Sequence, residues 1–290
     1  MCSCAFVFCA EWLKAVAVIL CLVKTIVSND FLRPLSELPV PANLLGVLTD
    51  IDDTLTTEGV VPEHVVAAIA RLQAAGLKVV PITGRPVGWS VPFARAWPVE
   101  AIVAENGAVA LRRNAAGGLD KLYQQDEDMR VRNFAKMQEV LAQIEHQVPG
   151  AQRATDSHGR ECDIAVDHSE FTHMPQAQID ECVAIMREAG MNATVSSIHI
   201  NGWFGGHNKL EGARWIVREL FDIDLDATLG QWVYIGDSTN DQLMFQHLPL
   251  SVGVANIARF VPQLQHLPRY VTPAERGDGF VQLAQHLLKK

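Results

Sequence analysis

Leu44–Thr49 reads L-L-G-V-L-T and runs straight into D-I-D-D-T-L-T at Asp50–Thr56. The apolar run predicts a strand buried on both faces, as in parallel sheets covered by helices. Asp50, Asp52 and Asp53 then fall at the strand's carboxyl end, where open α/β sheets bind ligands. Carboxylates this close repel one another unless a cation or a reaction holds them. The ordinary alternative is a solvated turn in which Asp and Thr cap a helix.

The segments on either side extend the pattern. Pro62–Ala75 predicts a helix, with Pro at its first position, apolar Val65, Val66, Ile69 and Leu72, and Gly76 at its stop. Leu77–Ile82 and Ala101–Ala104 predict two more strands. Near the C-terminus, Asn208–Phe221 predicts a helix, Trp232–Ile235 a strand, Thr239–His247 a short helix, Leu250–Val254 a strand and Gly279–Leu288 a closing helix. Strands alternating with helices define a Rossmann-like, doubly wound α/β core.

The middle of the chain reads differently. It predicts a hairpin around Asn114–Gly118, a polar helix over Asp126–Gln147, a strand at Cys162–Val166, a helix at Pro175–Ala189 and one or two strands in Ala193–Ile200. This is an α+β cap inserted into the core. The expected division is 1–40 as an extension outside the fold, 41–110 with 202–290 as core, and 111–201 as cap.

The 290 residues carry 24 Lys and Arg against 33 Asp and Glu, a formal charge of −9. With no basic run, nucleic acid is excluded as an expected partner. An acidic chain that handles an anionic substrate needs a cation at its site. Of six cysteines, four lie in the first 21 residues and none forms a CxxC pair, which argues against zinc. Cys162 and Cys182 stand alone in the body, which reads as reduced and cytoplasmic. Ala5–Val27 is apolar but interrupted by Glu11, Lys14 and Lys24. Each central charge costs a spanning helix about 2.5–3.5 kcal/mol. The segment reads as an extension, with a membrane or secretion signal and a helix packed on the body as alternatives. No stable membrane partner is expected for the body.

Four motifs carry chemistry. Asp50 can attack phosphorus, and Asp52 can exchange a proton with the leaving group and then with water. T-G-R at Thr83–Arg85 follows the second strand, where a hydroxyl and backbone N–H groups can hold phosphate oxygens. Lys209, opening a helix, can neutralise both a phosphate and Asp50. G-D-S-T-N-D at Gly236–Asp241 offers hard oxygens from Asp237, Asn240 and Asp241, which suit Mg²⁺. Each motif alone has an ordinary explanation as a cap, a turn or a solvated charge. Their order and shared position at strand ends make the case.

With these residues the chain resembles the haloacid dehalogenase superfamily of aspartate-nucleophile phosphatases. DIDDTLT, ITGRP at Ile82–Pro86, Lys209 and GDSTND arrive in that family's order from about Leu44 to the end. The resemblance implies Asp50 as nucleophile, Asp52 as general acid and base, Thr83 with Gly84 and Arg85 at the phosphate, and Lys209 as stabiliser. It implies Mg²⁺ held by Asp50, Asp237, Asp241 and the backbone carbonyl of Asp52. Many relatives carry Gly where this chain has Asp53. The insertion after A-E-N-G-A (Ala104–Ala108) is similar to the large α+β cap of sucrose-phosphate and trehalose-phosphate phosphatases. Such caps read the leaving group, which makes His199 and Asn201 expected specificity contacts, with Arg160, Glu161 and Asp163 as further candidates. The expected substrate is a small phosphorylated metabolite, a sugar phosphate in class. The alternatives are a phosphomutase and a non-catalytic phospho-acceptor domain.

Overall fold

The fold is that of a computed structural model describing residues 32–289. Its central sheet contains β1 (Arg33–Pro34), β2 (Gly46–Thr49), β3 (Lys78–Pro81), β11 (Trp232–Gly236), β12 (Leu250–Gly253) and β13 (Tyr270–Val271). The spatial order is β1-β13-β12-β11-β2-β3, and every neighbouring pair is parallel. After β2 the chain builds one side of the sheet, and after its long excursion it builds the other from β11. The switch point therefore lies between β2 and β11, with Asp50 and Asp237 following the two strands.

Alternation along the strands feeds two cores. Val47, Val79, Val233 and Ile235 face one side, covered by helices α1 (Glu63–Ala74), α2 (Val87–Ala96) and α7 (Arg276–Leu287). Leu48, Val80 and Tyr234 face the other, covered by α5 (Lys209–Phe221) and α6 (Gln242–His247). The near-continuous apolar runs follow from this two-sided burial. Among the described residues no helix is long and apolar enough to cross a membrane.

The cap has its own antiparallel sheet, ordered β7-β8-β10-β9, from β7 (Gln152–Arg153), β8 (Ile164–Asp167), β9 (Asn192–Val195) and β10 (His199–Trp203). Helices α3 (Glu127–Gln147) and α4 (Gln176–Glu188) bury Met137, Leu141, Ile144, Cys182 and Met186 against Ile164, Val166 and Ile200. Asp126 caps α3 by accepting from the Met129 N–H at 2.8 Å.

Three expectations need correction. The hairpin β5 (Val109–Arg113) with β6 (Leu119–Tyr123) pairs with β4 (Ile102–Ala104), not with the cap sheet. Its Val109, Ala110 and Leu111 are buried in the cores, so the insertion starts beyond the hairpin rather than at 111. His199–Trp203 lies wholly in the cap sheet, so the core resumes after it, at α5. Arg33–Pro34 pairs with β13, and Leu35 and Leu38 are buried in the core, so residues 33–38 belong to the fold. The remaining extension, through residue 31, lies outside the described residues.

Candidate active site

Asp50 leaves the end of β2 with its N–H donating to the Ile235 carbonyl at 2.9 Å. Lys209 opens α5, whose first turn is fixed by the Asn208 side chain accepting from the N–H groups of Leu210 and Glu211. A Cβ at Gly212 would sit 2.5 Å from the Gly107 Cα, so glycine lets α5 press against the 105–107 turn. The Lys209 ammonium then donates to Asp50 Oδ1 at 2.5 Å and to Asp241 Oδ1 at 2.6 Å. All three side chains are buried.

The G-D-S-T-N-D turn folds back on itself. Asp241 Oδ2 accepts from the N–H groups of Asp237 and Ser238 at 2.9 and 3.0 Å. Its Oδ1 also accepts from the buried Tyr234 hydroxyl. A Cβ at Gly236 would collide with the Asp241 carboxylate. The predicted helix from Thr239 therefore begins as a 3-10 turn before α6. Asn240 lies at the cleft, and its amide oxygen accepts from the Ser238 hydroxyl at 2.9 Å.

Asp50, Asp237 and Asp241 bring carboxylate oxygens within 4.8 Å of one another, all buried. Asp237 Oδ1 is buried without a hydrogen-bond partner. Hard oxygens in a close group, one of them orphaned, fit a divalent cation such as Mg²⁺. Burial pushes the Asp50 carboxyl up to about 7, with Asp241 and Asp52 adding to the rise and Lys209 opposing it. Burial, with the charges of Asp50 and Asp241, pushes Asp237 well above the usual carboxylate range. Burial alone would lower the Lys209 ammonium, but Asp241 and Asp50 outweigh it and raise it. Lys209 pairs with Asp50 and Asp241, while Asp237 meets the half-exposed Arg259 at 3.1 Å through one oxygen only.

Thr83 follows β3 and is fully buried, and its hydroxyl accepts from the Arg85 N–H at 3.0 Å. Gly84 and Arg85 line the cleft with Asp50 and Asp52. Arg85 Nε donates to Asp52 Oδ1 at 2.9 Å, while its terminal nitrogens reach cap residues Asp156 at 3.2 Å and Glu170 at 2.7 Å. His199 and Asn201 line the same cleft from β10. His199 Nε2 lies 2.8 Å from Glu170 Oε2, and the Asn201 amide donates to Asp163 Oδ2 at 3.1 Å. Burial raises Glu170, but hydrogen bonds from His199 and Arg85 outweigh it and bring the carboxyl down to about 2. Arg160 donates to Asp163 at 2.7 Å and to the Gly84 carbonyl at 3.0 Å, tying the cap to the T-G-R loop. Glu161 accepts from Lys121 and Tyr123 instead.

Sequence reasoning missed several residues. Glu105 is fully buried, and its carboxylate accepts N–H groups from Val87, Glu161, Cys162 and Asp163, joining core to cap. Glu170 and Asp156 are cap carboxylates with no local motif. Asn256 and Arg259 follow β12 and reach Asp237 at 3.2 and 3.1 Å. A polar Asn just past an apolar strand was the available signal for that pair.

Residues 47–148 match the family model of haloacid dehalogenase-like hydrolases. The matched segment runs from β2 into α3 and carries Asp50, Asp52 and Thr83. No curated protein matches the chain in sequence. Its fold is similar to the sucrose-phosphatase of Synechocystis solved with sucrose and phosphate, at 14% identity and TM-score 0.62, covering 84% of this chain and 98% of that one. It is similar to the C-terminal domain of C. albicans trehalose-6-phosphate phosphatase, at 12% identity and TM-score 0.62, covering 84% and 92%. It is also similar to a Thermoplasma acidophilum protein, at 17% identity and TM-score 0.64, covering 84% and 98%.

Proposed function

We propose that the chain is a phosphatase that removes the phosphoryl group of a small metabolite, a sugar phosphate in class, through a phospho-aspartyl intermediate on Asp50. The observation that carries this reading is the convergence of Asp50, Lys209, Asp237 and Asp241 at one end of the sheet, with Asp52 at the same cleft. The sugar-phosphate class draws support from the named activities of the structural neighbours and from a cap placed over the cleft.

Asp50 attacks phosphorus, and the bond from phosphorus to the alcohol oxygen breaks. Asp52 delivers its proton to that departing oxygen. Water then gives a proton to Asp52 and attacks phosphorus, the acyl-phosphate P–O bond breaks, and inorganic phosphate leaves with Asp50 regenerated. Lys209 stays protonated between Asp50 and Asp241 and faces the charge that builds on the phosphoryl oxygens. Thr83, Gly84 and Arg85 hold the remaining oxygens, and Arg85 also orients Asp52 at 2.9 Å. His199 and Asn201 contact the leaving group from the cap. Asp50, Asp237 and Asp241, with Asn240 and the Asp52 carbonyl beside them, would hold Mg²⁺, which supplies charge neutralisation for the phosphoryl group and for Asp50.

The test is release of inorganic phosphate from a panel of sugar phosphates, with Mg²⁺ or with chelator. Release that stops in chelator and in Asp50→Asn supports the reading. Undiminished turnover by Asp50→Asn refutes it. Isomerised sugar phosphate without free phosphate points to the mutase instead.

A further inference from the structure

Asp53 belongs to no step above, yet it holds an unusual position. Its φ is +55°, a left-handed conformation that Asp tolerates and Gly adopts freely. Its N–H donates to the Thr56 hydroxyl at 2.7 Å, and its carboxylate is mostly covered. Oδ2 accepts from Arg259 Nη2 at 2.6 Å, and Oδ1 lies 3.2 Å from Arg276 Nε. The same Arg259 nitrogen donates to Asp237 Oδ2 at 3.1 Å. Asn256 reinforces this arrangement. Its amide donates to the Asp53 carbonyl at 3.0 Å and to Asp237 Oδ2 at 3.2 Å, and its oxygen accepts from the Arg276 N–H at 2.8 Å.

One oxygen of Asp237 thus receives two donors, and the other is buried with none. We infer that Asp53 and Arg259 are positioning residues for the cation site, clamping Asp237 Oδ2 so that Oδ1 stays turned to a divalent cation beside Asp50. This rests on the reading above that the carboxylate group holds Mg²⁺. Arg259 is 42% exposed on a long side chain, and without Asp53 it has little reason to stay over Asp237. Charge makes an opposing forecast. Arg259 is a cation beside a cation site, so by charge alone its removal tightens Mg²⁺ binding.

The experiment is Mg²⁺ titration of the substrate-free protein by calorimetry, backed by the Mg²⁺-dependent rise in melting temperature. The proteins are wild type, Asp53→Gly, Asp53→Asn, Arg259→Ala and the Asp53→Gly/Arg259→Ala pair. Glycine suits the +55° backbone, so Asp53→Gly keeps the fold. Removing a partner that orients a metal ligand costs about 10–100-fold in affinity. Asp53→Gly and Arg259→Ala are each expected to weaken binding about tenfold or more, the pair no further than the weaker single variant. Asp53→Asn, which keeps an oxygen for Arg259, recovers most of the loss. Arg259→Ala binding Mg²⁺ as tightly as wild type, or tighter, overturns the inference while leaving the cation site standing. Wild type that binds no Mg²⁺ overturns both.

Discussion

Replacing Lys209 with methionine removes the cation between Asp50 and Asp241 and keeps a chain of similar length. In the wild type the ammonium lies 2.5 and 2.6 Å from two carboxylates, with side-chain exposures of 1%, 6% and 0% for Lys209, Asp50 and Asp241. Breaking a buried pair by deleting one partner costs about 3–5 kcal/mol, because the abandoned charge stays buried. Here two carboxylates lose the shared cation, with Asp237 close by, so the upper half of that range is expected without metal. For a domain of this size each kcal/mol moves the melting temperature about 2–4 °C, so the fall in chelator is about 8–20 °C. Saturating Mg²⁺ supplies charge to the same carboxylates and should recover half of the deficit or more. Asp241→Asn in the Lys209→Met background should recover part of it without metal. Thermal melts of the variants with chelator and with Mg²⁺ read all of this. A Lys209→Met protein within about 1 kcal/mol of wild type in chelator would refute the reasoning, since the ammonium would then not be compensating buried charge.

The junction between cap and core gives two more expectations. His207 is buried beside Trp203, and burial lowers its imidazole from 6.5 to about 4. The unfolded chain binds that proton first, so stability is full above pH 6.5 and about 3 kcal/mol is lost as pH falls to 4. His207→Phe should lose this component of the acid sensitivity in urea unfolding between pH 7 and 4, and an unchanged slope would contradict it. Glu105→Gln leaves one amide oxygen for N–H groups that a carboxylate meets with two. At about 1–3 kcal/mol per stranded N–H, a loss of about 2–5 kcal/mol is expected, with faster proteolysis between core and cap. Wild-type stability and protease resistance would show that this carboxylate does not fasten the two.

The core strands were legible because two-sided burial imposes apolar runs that no turn or loop shares. The order of motifs likewise placed Asp50, Thr83, Lys209 and Asp237 after strands or at a helix start, which is where they lie. The turn around Asn114–Gly118 reads as a hairpin opening the cap, whereas its strands join β4 beside the core. Turn chemistry fixes which two strands pair and says nothing of the third they join, here β4. The edge strand Arg33–Pro34 has only two residues, too few for any periodicity to register. The links from Asp53 to Arg259 and from Glu105 to residues 161–163 cross 206 and 56–58 positions, so no local pattern announces them. Asp52 reads as a free acid in its motif, whereas Arg85 holds it together with two cap carboxylates. That grouping exists only once the cap is seated.

The most direct test is to trap the intermediate. The protein is quenched during turnover of its best sugar phosphate with Mg²⁺, and the acyl phosphate is reduced with borohydride before peptide mass spectrometry. Conversion of Asp50 to homoserine, dependent on substrate and absent in chelator, is the predicted result. Turnover with no modification at Asp50, or with the label on another carboxylate, would contradict the account.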